Sequence, residues 1–378
     1  MIRAFARSEG ALMFGALTAV LFYAYPDTLA GDLAVDAQTI AFFLWLFATM
    51  LWCAFGVVRH GECLAETLGE PYGTLILTLA VIVIEVSVIS SVMLLGENEP
   101  TLARDTMFAV LMIILNAMVG LALLVGGLRY REQHYNLQGA KAFLAVLVPL
   151  AILILVLPDF TTADRPAEFT PVQALFFAAM TVVLYGVFLV IQTIRHRSQF
   201  IQPDSPVETF PDPLAPDESV REEGRHEIRS VPYHALLLLA TMLPVVLLSK
   251  KLAAFVDYGI DTIQAPTELG GLIVAALVLA PEGLGGLRAA LDNRLQRCVN
   301  ILLGAALGAI SLTAPAILVI GLIFDRRVAL GLEQVEMILL LLTLAVSALT
   351  FTGGRTNILQ GAVHLVLFLA YLGLMFQL

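Results

Sequence analysis

The chain has 378 residues, 59% of them hydrophobic and only 14% charged, with a mean hydropathy of +0.88 and a formal net charge of −10. A soluble domain carries roughly 25% charged residues, and no water-soluble fold of this size could hide so much apolar side chain. A soluble enzyme, a disordered chain and a nucleic-acid binder are therefore excluded. The composition is that of an all-α polytopic membrane protein, because the apolar runs are too long for β-barrel strands.

A membrane-crossing helix needs about 20 mostly apolar residues. The chain offers eleven such runs, at residues 11–25, 38–58, 72–95, 104–128, 139–157, 171–194, 233–249, 266–287, 298–323, 334–352 and 357–376. The first is the shortest and follows Arg3 and Arg7 in the manner of a signal peptide, but the charge distribution requires that it be retained. The third, TLILTLAVIVIEVSVISSVML, carries Glu85 deep in its apolar core, and the fourth carries Asn116 in MIILNAMVG. The longest polar stretch, from Arg195 to Val231, separates the sixth run from the seventh. Its first half is rich in proline, and its second half has helix-compatible charge. Two readings of its acid stand: a sensor of cytoplasmic calcium, and a solvated linker, which is favoured. The eighth run, GGLIVAALVLAPEGLGGLRAAL, carries Glu282 among Pro281, Gly283, Gly285 and Gly286, and the ninth carries Ser311 and Thr313. Cys53, Cys63 and Cys298 are too few for a disulfide framework.

Lys and Arg fix the orientation. With the N-terminus cytoplasmic, fifteen of the 21 basic residues fall on the cytoplasmic side; only Lys250–Lys251 and Arg326–Arg327 pull clearly the other way. Setting the first run aside leaves five before the polar stretch and five after it. The expected organisation is an extra N-terminal helix and loop at 1–37, a five-helix repeat at 38–194, an acidic cytoplasmic loop at 195–232 and a second five-helix repeat at 233–378. The two groups run in opposite directions through the membrane, which is the pattern of an inverted-repeat transporter with its site at the midplane.

Glu85 and Glu282 are the only acids inside the apolar cores, and each lies in the second run of its group. A charge at that depth costs at least roughly 2.5–3.5 kcal/mol, so each should face a cavity or a partner. No basic residue lies in either core. The plain alternative is a protonated or paired carboxyl. Amide and hydroxyl oxygens suit a hard cation, so Asn116, Ser311 and Thr313 join the two glutamates as candidate cation ligands. Asn116 can equally serve as helix–helix glue. Pro281 with its glycines reads either as a local helix break that frees carbonyls or as close packing against small residues.

At these residues the chain resembles the ChaA-type calcium/sodium–proton antiporters, a branch of the cation/proton exchangers in the cation/calcium exchanger superfamily. The stretches that carry the resemblance are VVRHGECLAETLGEPYGTLILTLAVIVIEVSVIS, LARDTMFAV, LLVGGLRY, LYGVFLVIQT, LVLAPEGLGGLRAALDNRLQRCVN and FTGGRTNILQGAVHLVLFLAYL. The resemblance implies eleven spans, two inverted five-span repeats, and paired glutamates, matched by Glu85 and Glu282, that bind cation and proton in turn. Wider proton-coupled exchangers carry Gly-Asn three and four residues ahead of the glutamate, where this chain has Val81–Ile82 and Val278–Leu279. Two amide ligands are thus absent, and the resemblance implies sodium or potassium transport alongside calcium.

The expected activity is secondary antiport of Ca2+ or Na+, with K+ a further substrate, against H+. No resident cofactor is expected, and the partners are the lipid bilayer and inorganic ions. The expected location is a bacterial inner membrane, with the N-terminus cytoplasmic and the C-terminus periplasmic. A cation channel lined by the same glutamates is the alternative; an intramembrane enzyme lacks any HExxH or GxSxG motif. His364, two turns beyond the FTGGRTN segment, reads as a packing residue or a proton relay, with packing favoured.

Overall fold

The structure, a computed structural model, describes residues 9–26, 29, 31, 33–68, 72–95, 100–161, 167–202 and 230–376. The acid-rich stretch 203–229 lies outside the described residues, so both readings of it rest on sequence alone.

The chain folds almost wholly as helices: α1 (Gly10–Ala24), α2 (Ala37–Leu68), α3 (Tyr72–Leu95), α4 (Leu102–Tyr130), α5 (Leu137–Leu155), α6 (Pro171–Arg195), α7 (Val231–Ile263), α8 (Glu268–Leu291), α9 (Leu295–Ile323), α10 (Gln334–Thr350) and α11 (Ile358–Met375). Among the described residues, eight helical stretches are long and apolar enough to cross a membrane; α1, α10 and residues Leu79–Ser90 of α3 are shorter apolar helices. Several boundaries fall where the sequence supplies a cap. Thr170 and Gln173 form a capping box ahead of α6, with Pro171 in its first turn. Glu333 with Glu336 opens α10 in the same way, and Asn357 with Gln360 opens α11. Before α2, the Thr39 backbone N–H donates to Asp36 Oδ1 at 2.7 Å, and this bond holds the Asp36 carboxyl below its ordinary value.

One feature differs from the sequence expectation, and one reading left open by the sequence is decided. α7 does not stop near Ser249 but runs on through Lys250 and Lys251 for 33 residues. At 1.5 Å per residue it is about 50 Å long, more than a hydrocarbon core of about 30 Å requires. The lysines are tolerated because their long stems reach polar or aromatic surroundings; the Lys251 ammonium lies 5.5 Å from the centre of the Tyr23 ring. α8, in turn, is not broken at Pro281 but continues to Leu291. Its small residues serve close packing instead: a Cβ added at Gly283 would lie 2.6 Å from Met118 Cε, and one at Gly286 3.0 Å from Leu302.

α4 and α9 are the most enclosed of the long helices, and the others surround them. Exposed Val172, Leu175, Phe176, Val183, Val187 and Val190 on α6 show how apolar the outer surface is. At one end of the bundle, Gln133–His134, between α4 and α5, pairs antiparallel with Arg355–Thr356, between α10 and α11. A second contact joins two further connections: Glu168, between α5 and α6, bridges to Ala329, between α9 and α10.

α4 and α11 cross in backbone contact. A Cβ at Gly361 would lie 2.5 Å from Leu124 N and 2.8 Å from Gly120 O, neither of which can swing aside. Gly361→Val should therefore pry the helices apart and cost at least about 1–3 kcal/mol, the usual range for overpacking. Gly186→Ala, where nothing lies within 4 Å, should cost nothing. Thermal unfolding in detergent compares the two; equal midpoints would mean that the crossing tolerates a side chain.

Candidate functional site

Glu85 reaches the interior because α3 packs against α7, α8 and α9, which leaves its mid-helix side chain no route to solvent. The residue is 3% exposed. Its Oε2 accepts a hydrogen bond from Thr313 Oγ1 on α9 at 2.9 Å, and its Oε1 is buried with no partner. Glu282, on α8, is partly buried, and its Oε2 is likewise buried without a partner. Glu85 lies close enough for Coulombic interaction with Glu282, and so does Glu62 near the end of α2. Ser311 Oγ is buried and unpartnered as well. Leaving buried polar oxygens unpaired costs about 1–3 kcal/mol each, and more when charged, so such a cluster is suited to a hard cation, a proton or water. Among the described residues, no three His, Cys, Asp or Glu gather as a metal-binding group. Two carboxylates with neutral hydroxyls form a sparse donor set.

Two π-helical turns frame this centre. One, Ile113–Met118, interrupts α4 and carries Asn116; the other, Ala309–Thr313, interrupts α9 and carries Ser311 and Thr313. π-turns insert one residue into a helix and are frequent at functional sites. Asn116 follows Glu85 by the same 31 residues as Thr313 follows Glu282. The two positions are used differently, however. Thr313 grips a glutamate, whereas the Asn116 amide is engaged elsewhere: Nδ2 donates to Thr343 Oγ1 on α10 at 2.8 Å and lies 3.5 Å from Met112 Sδ, while Oδ1 lies 3.3 Å from His364 Nδ1 on α11. His364 Nε2 lies 2.9 Å from Thr350 Oγ1, and the whole group is buried. Of the five residues expected at the site, Thr313 is hydrogen-bonded to Glu85, and Glu85 interacts electrostatically with Glu282. Ser311 shares the π-turn with Thr313, and Asn116 faces α10 and α11.

Two features escaped sequence reasoning. Glu62 lies beyond the apolar part of its run, and nothing local marks it as close to Glu282. A buried polar cluster also joins the start of α1 to α2 and α7. Glu9 Oε2 accepts from Arg59 Nη2 at 2.7 Å and lies 3.0 Å from His60 Nε2, Tyr233 Oη donates to Glu9 Oε1 at 3.1 Å, and His60 Nδ1 lies 3.0 Å from His234 Nδ1. The sequence separation of 174 between the two histidines conceals the pair from local pattern. This cluster secures α1 to the bundle.

Comparison with known proteins places this arrangement among relatives. The sodium/calcium exchanger protein family matches residues 38–194 and 233–377. The sodium-potassium/proton antiporter ChaA of Escherichia coli (strain K12) is 38% identical over 364 residues, covering 96% of this chain and 95% of the relative. The putative ionic transporter y4hA of Sinorhizobium fredii is 39% identical over 361 residues, covering 95% and 93%. The crystal structure of the Ca2+/H+ antiporter protein YfkE superimposes with a TM-score of 0.70 at 16% identity, covering 98% of each chain.

Proposed function

The chain belongs to the sodium/calcium exchanger protein family, and from that premise we propose that it is a secondary cation/proton antiporter exchanging Na+, K+ or Ca2+ for H+. The observation that carries this reading is the pair Glu85, buried, and Glu282, partly buried, which interact electrostatically and each hold a buried, unpartnered oxygen. Two carboxylates in a low-dielectric pocket without a permanent counter-charge cannot both remain bare. A cation neutralises them in one state and protons in the other, and only the neutralised pocket reorients at low cost. Two carboxylates balance one Ca2+ or two H+; Na+ or K+ leaves one negative charge for a proton or a second cation. The relative named as a sodium-potassium/proton antiporter supports the monovalent substrates, and the one named as a Ca2+/H+ antiporter supports calcium.

The same reading takes the eight long and three shorter apolar helices as eleven spans, with α1 additional and α2–α6 and α7–α11 as inverted repeats. Two observations support the pseudo-symmetry. Exchanging the repeats converts the pairing of the α4–α5 and α10–α11 connections into that of the α9–α10 and α5–α6 connections, and both occur. Both central helices also carry a π-turn at the corresponding depth. The basic residues then favour a cytoplasmic N-terminus in a bacterial inner membrane.

The test is an ion-by-ion assay in everted vesicles with an imposed acid-inside pH gradient. Addition of Na+, K+ or Ca2+ should dissipate the gradient in proportion to cation uptake. Cation flux with no proton movement would instead mark the protein as a channel.

A further inference from the structure

Thr313 and Asn116 occupy corresponding positions, yet only Thr313 bonds to a glutamate. The cause lies on α10 and α11. Asn116 Nδ2 donates to Thr343 Oγ1, which makes Oδ1 the acceptor facing His364. A neutral imidazole that donates from Nδ1 must accept at Nε2, and the Thr350 hydroxyl stands 2.9 Å away to donate there. The imidazole is thus held from both sides, and with it the orientation of the amide. The Asn116 turn nevertheless meets α8 beside Glu282: Met118, at its end, touches α8 at Gly283, the next residue.

We infer that His364, with Thr343, is a specificity-determining residue that withholds the Asn116 carbonyl oxygen from the cation pocket. The inference rests on the exchange reading of that pocket. With the amide held away, the ion meets two carboxylates and a few hydroxyls. A divalent cation such as Ca2+ takes six to eight oxygen ligands and suffers more from a missing neutral oxygen than a monovalent ion does. The clamp therefore shifts the balance toward Na+ and K+. His364 acts through Asn116 and does not touch the ion; it is a positioning residue.

The test is the ratio of apparent KM for Ca2+ to that for Na+ in the intact protein. His364→Leu removes the donor and should lower this ratio at least threefold. His364→Asn, whose amide nitrogen takes the place of Nδ1, should restore it. On an Asn116→Ala background, His364→Leu should leave the ratio unmoved. An unchanged ratio in His364→Leu, or the same shift with and without Asn116, overturns the assignment. Thr343→Val releases the amide from its other side and should move the ratio in the same direction, which covers the case in which His364→Leu does not fold. A parallel readout is stabilisation of detergent-solubilised protein by Ca2+ against Na+, which needs no proton coupling. Loss of exchange in the wild type would refute the function proposed above, whereas a Ca2+/Na+ stabilisation ratio indifferent to His364 would refute the clamp alone.

Discussion

Glu85→Gln and Glu282→Gln should each lower cation-driven proton release by about a hundredfold, equivalent to ~2.7 kcal/mol, while leaving the protein folded. The two halves of this expectation have different origins. Loss of transport follows from charge. A glutamine keeps an oxygen for the cation but cannot carry the proton that must replace it, and one remaining carboxylate cannot balance Ca2+. Retention of the fold follows from shape. In Glu85→Gln, the amide oxygen still accepts from Thr313 Oγ1, now 2.9 Å from Glu85 Oε2, and the amide nitrogen takes the place of an oxygen that has no partner. In Glu282→Gln, the repulsion from Glu85 and Glu62 disappears. Both variants should therefore unfold at or above the wild-type temperature in detergent. The aspartates differ: Glu85→Asp keeps the charge but withdraws it by one methylene from Thr313, and should retain measurable exchange with weakened cation affinity. Exchange at the wild-type rate in either glutamine variant, in vesicles containing equal amounts of protein, would remove the pair from the mechanism.

Much of this centre is legible in the sequence, for a physical reason. An acid inside an apolar run is costly in any membrane fold, so Glu85 and Glu282 are conspicuous without any knowledge of their surroundings. Helix ends are legible where a cap and a turn coincide, as at Thr170–Pro171 and Asn357. The π-turns are not, because IILNAM and AISLT are apolar helical sequence with nothing to mark one inserted residue. They also change what the sequence implies. Irregular backbone, one of the two readings at Pro281, lies instead in the two helices that follow the glutamate helices, beside Asn116 and Thr313. The orientation of the Asn116 amide is illegible for another reason: its partners lie more than 200 residues away on α10 and α11, and sequence alone offers a ligand and a helix–helix contact equally. The structure supplies the contact, which is why the ligand reading becomes conditional on releasing it.

Arg104→Met should produce the largest loss of stability of any single substitution considered, about 3–5 kcal/mol, the usual cost of breaking a buried ion pair from one side. The starts of α4, α8 and α10 each carry an acid in the first turn, Asp105, Glu268 and Glu336, and Asp105 interacts electrostatically with both Arg104 and Glu268. Helix N-termini favour such carboxylates by a few tenths of a kcal/mol to about 1 kcal/mol, too little to hold several together when one is buried. Arg104 makes up the difference. Its Nε donates to Asp105 Oδ1 at 2.7 Å, Nη1 donates to the Gly331 carbonyl at 3.3 Å, and the Glu333 and Glu336 carboxylates lie 4.0 Å away. It also attracts Asp159, whose carboxyl burial pushes above its ordinary value and Arg104 pulls partly back. Without the guanidinium, the folded state must protonate these groups or suffer their repulsion. A carboxyl raised in the folded state stabilises below its unfolded value and loses that contribution as pH rises through its folded value. The Arg104→Met defect should accordingly be smallest near pH 5 and grow toward pH 8, read as the gap in thermal midpoint from wild type. Adding Asp105→Asn should recover more than half of the loss, because removing both members of a buried pair costs far less than removing one. A defect that is flat with pH, or untouched by Asp105→Asn, would mean that Arg104 serves packing through its stem and not the joining of the acidic starts of α4 and α10.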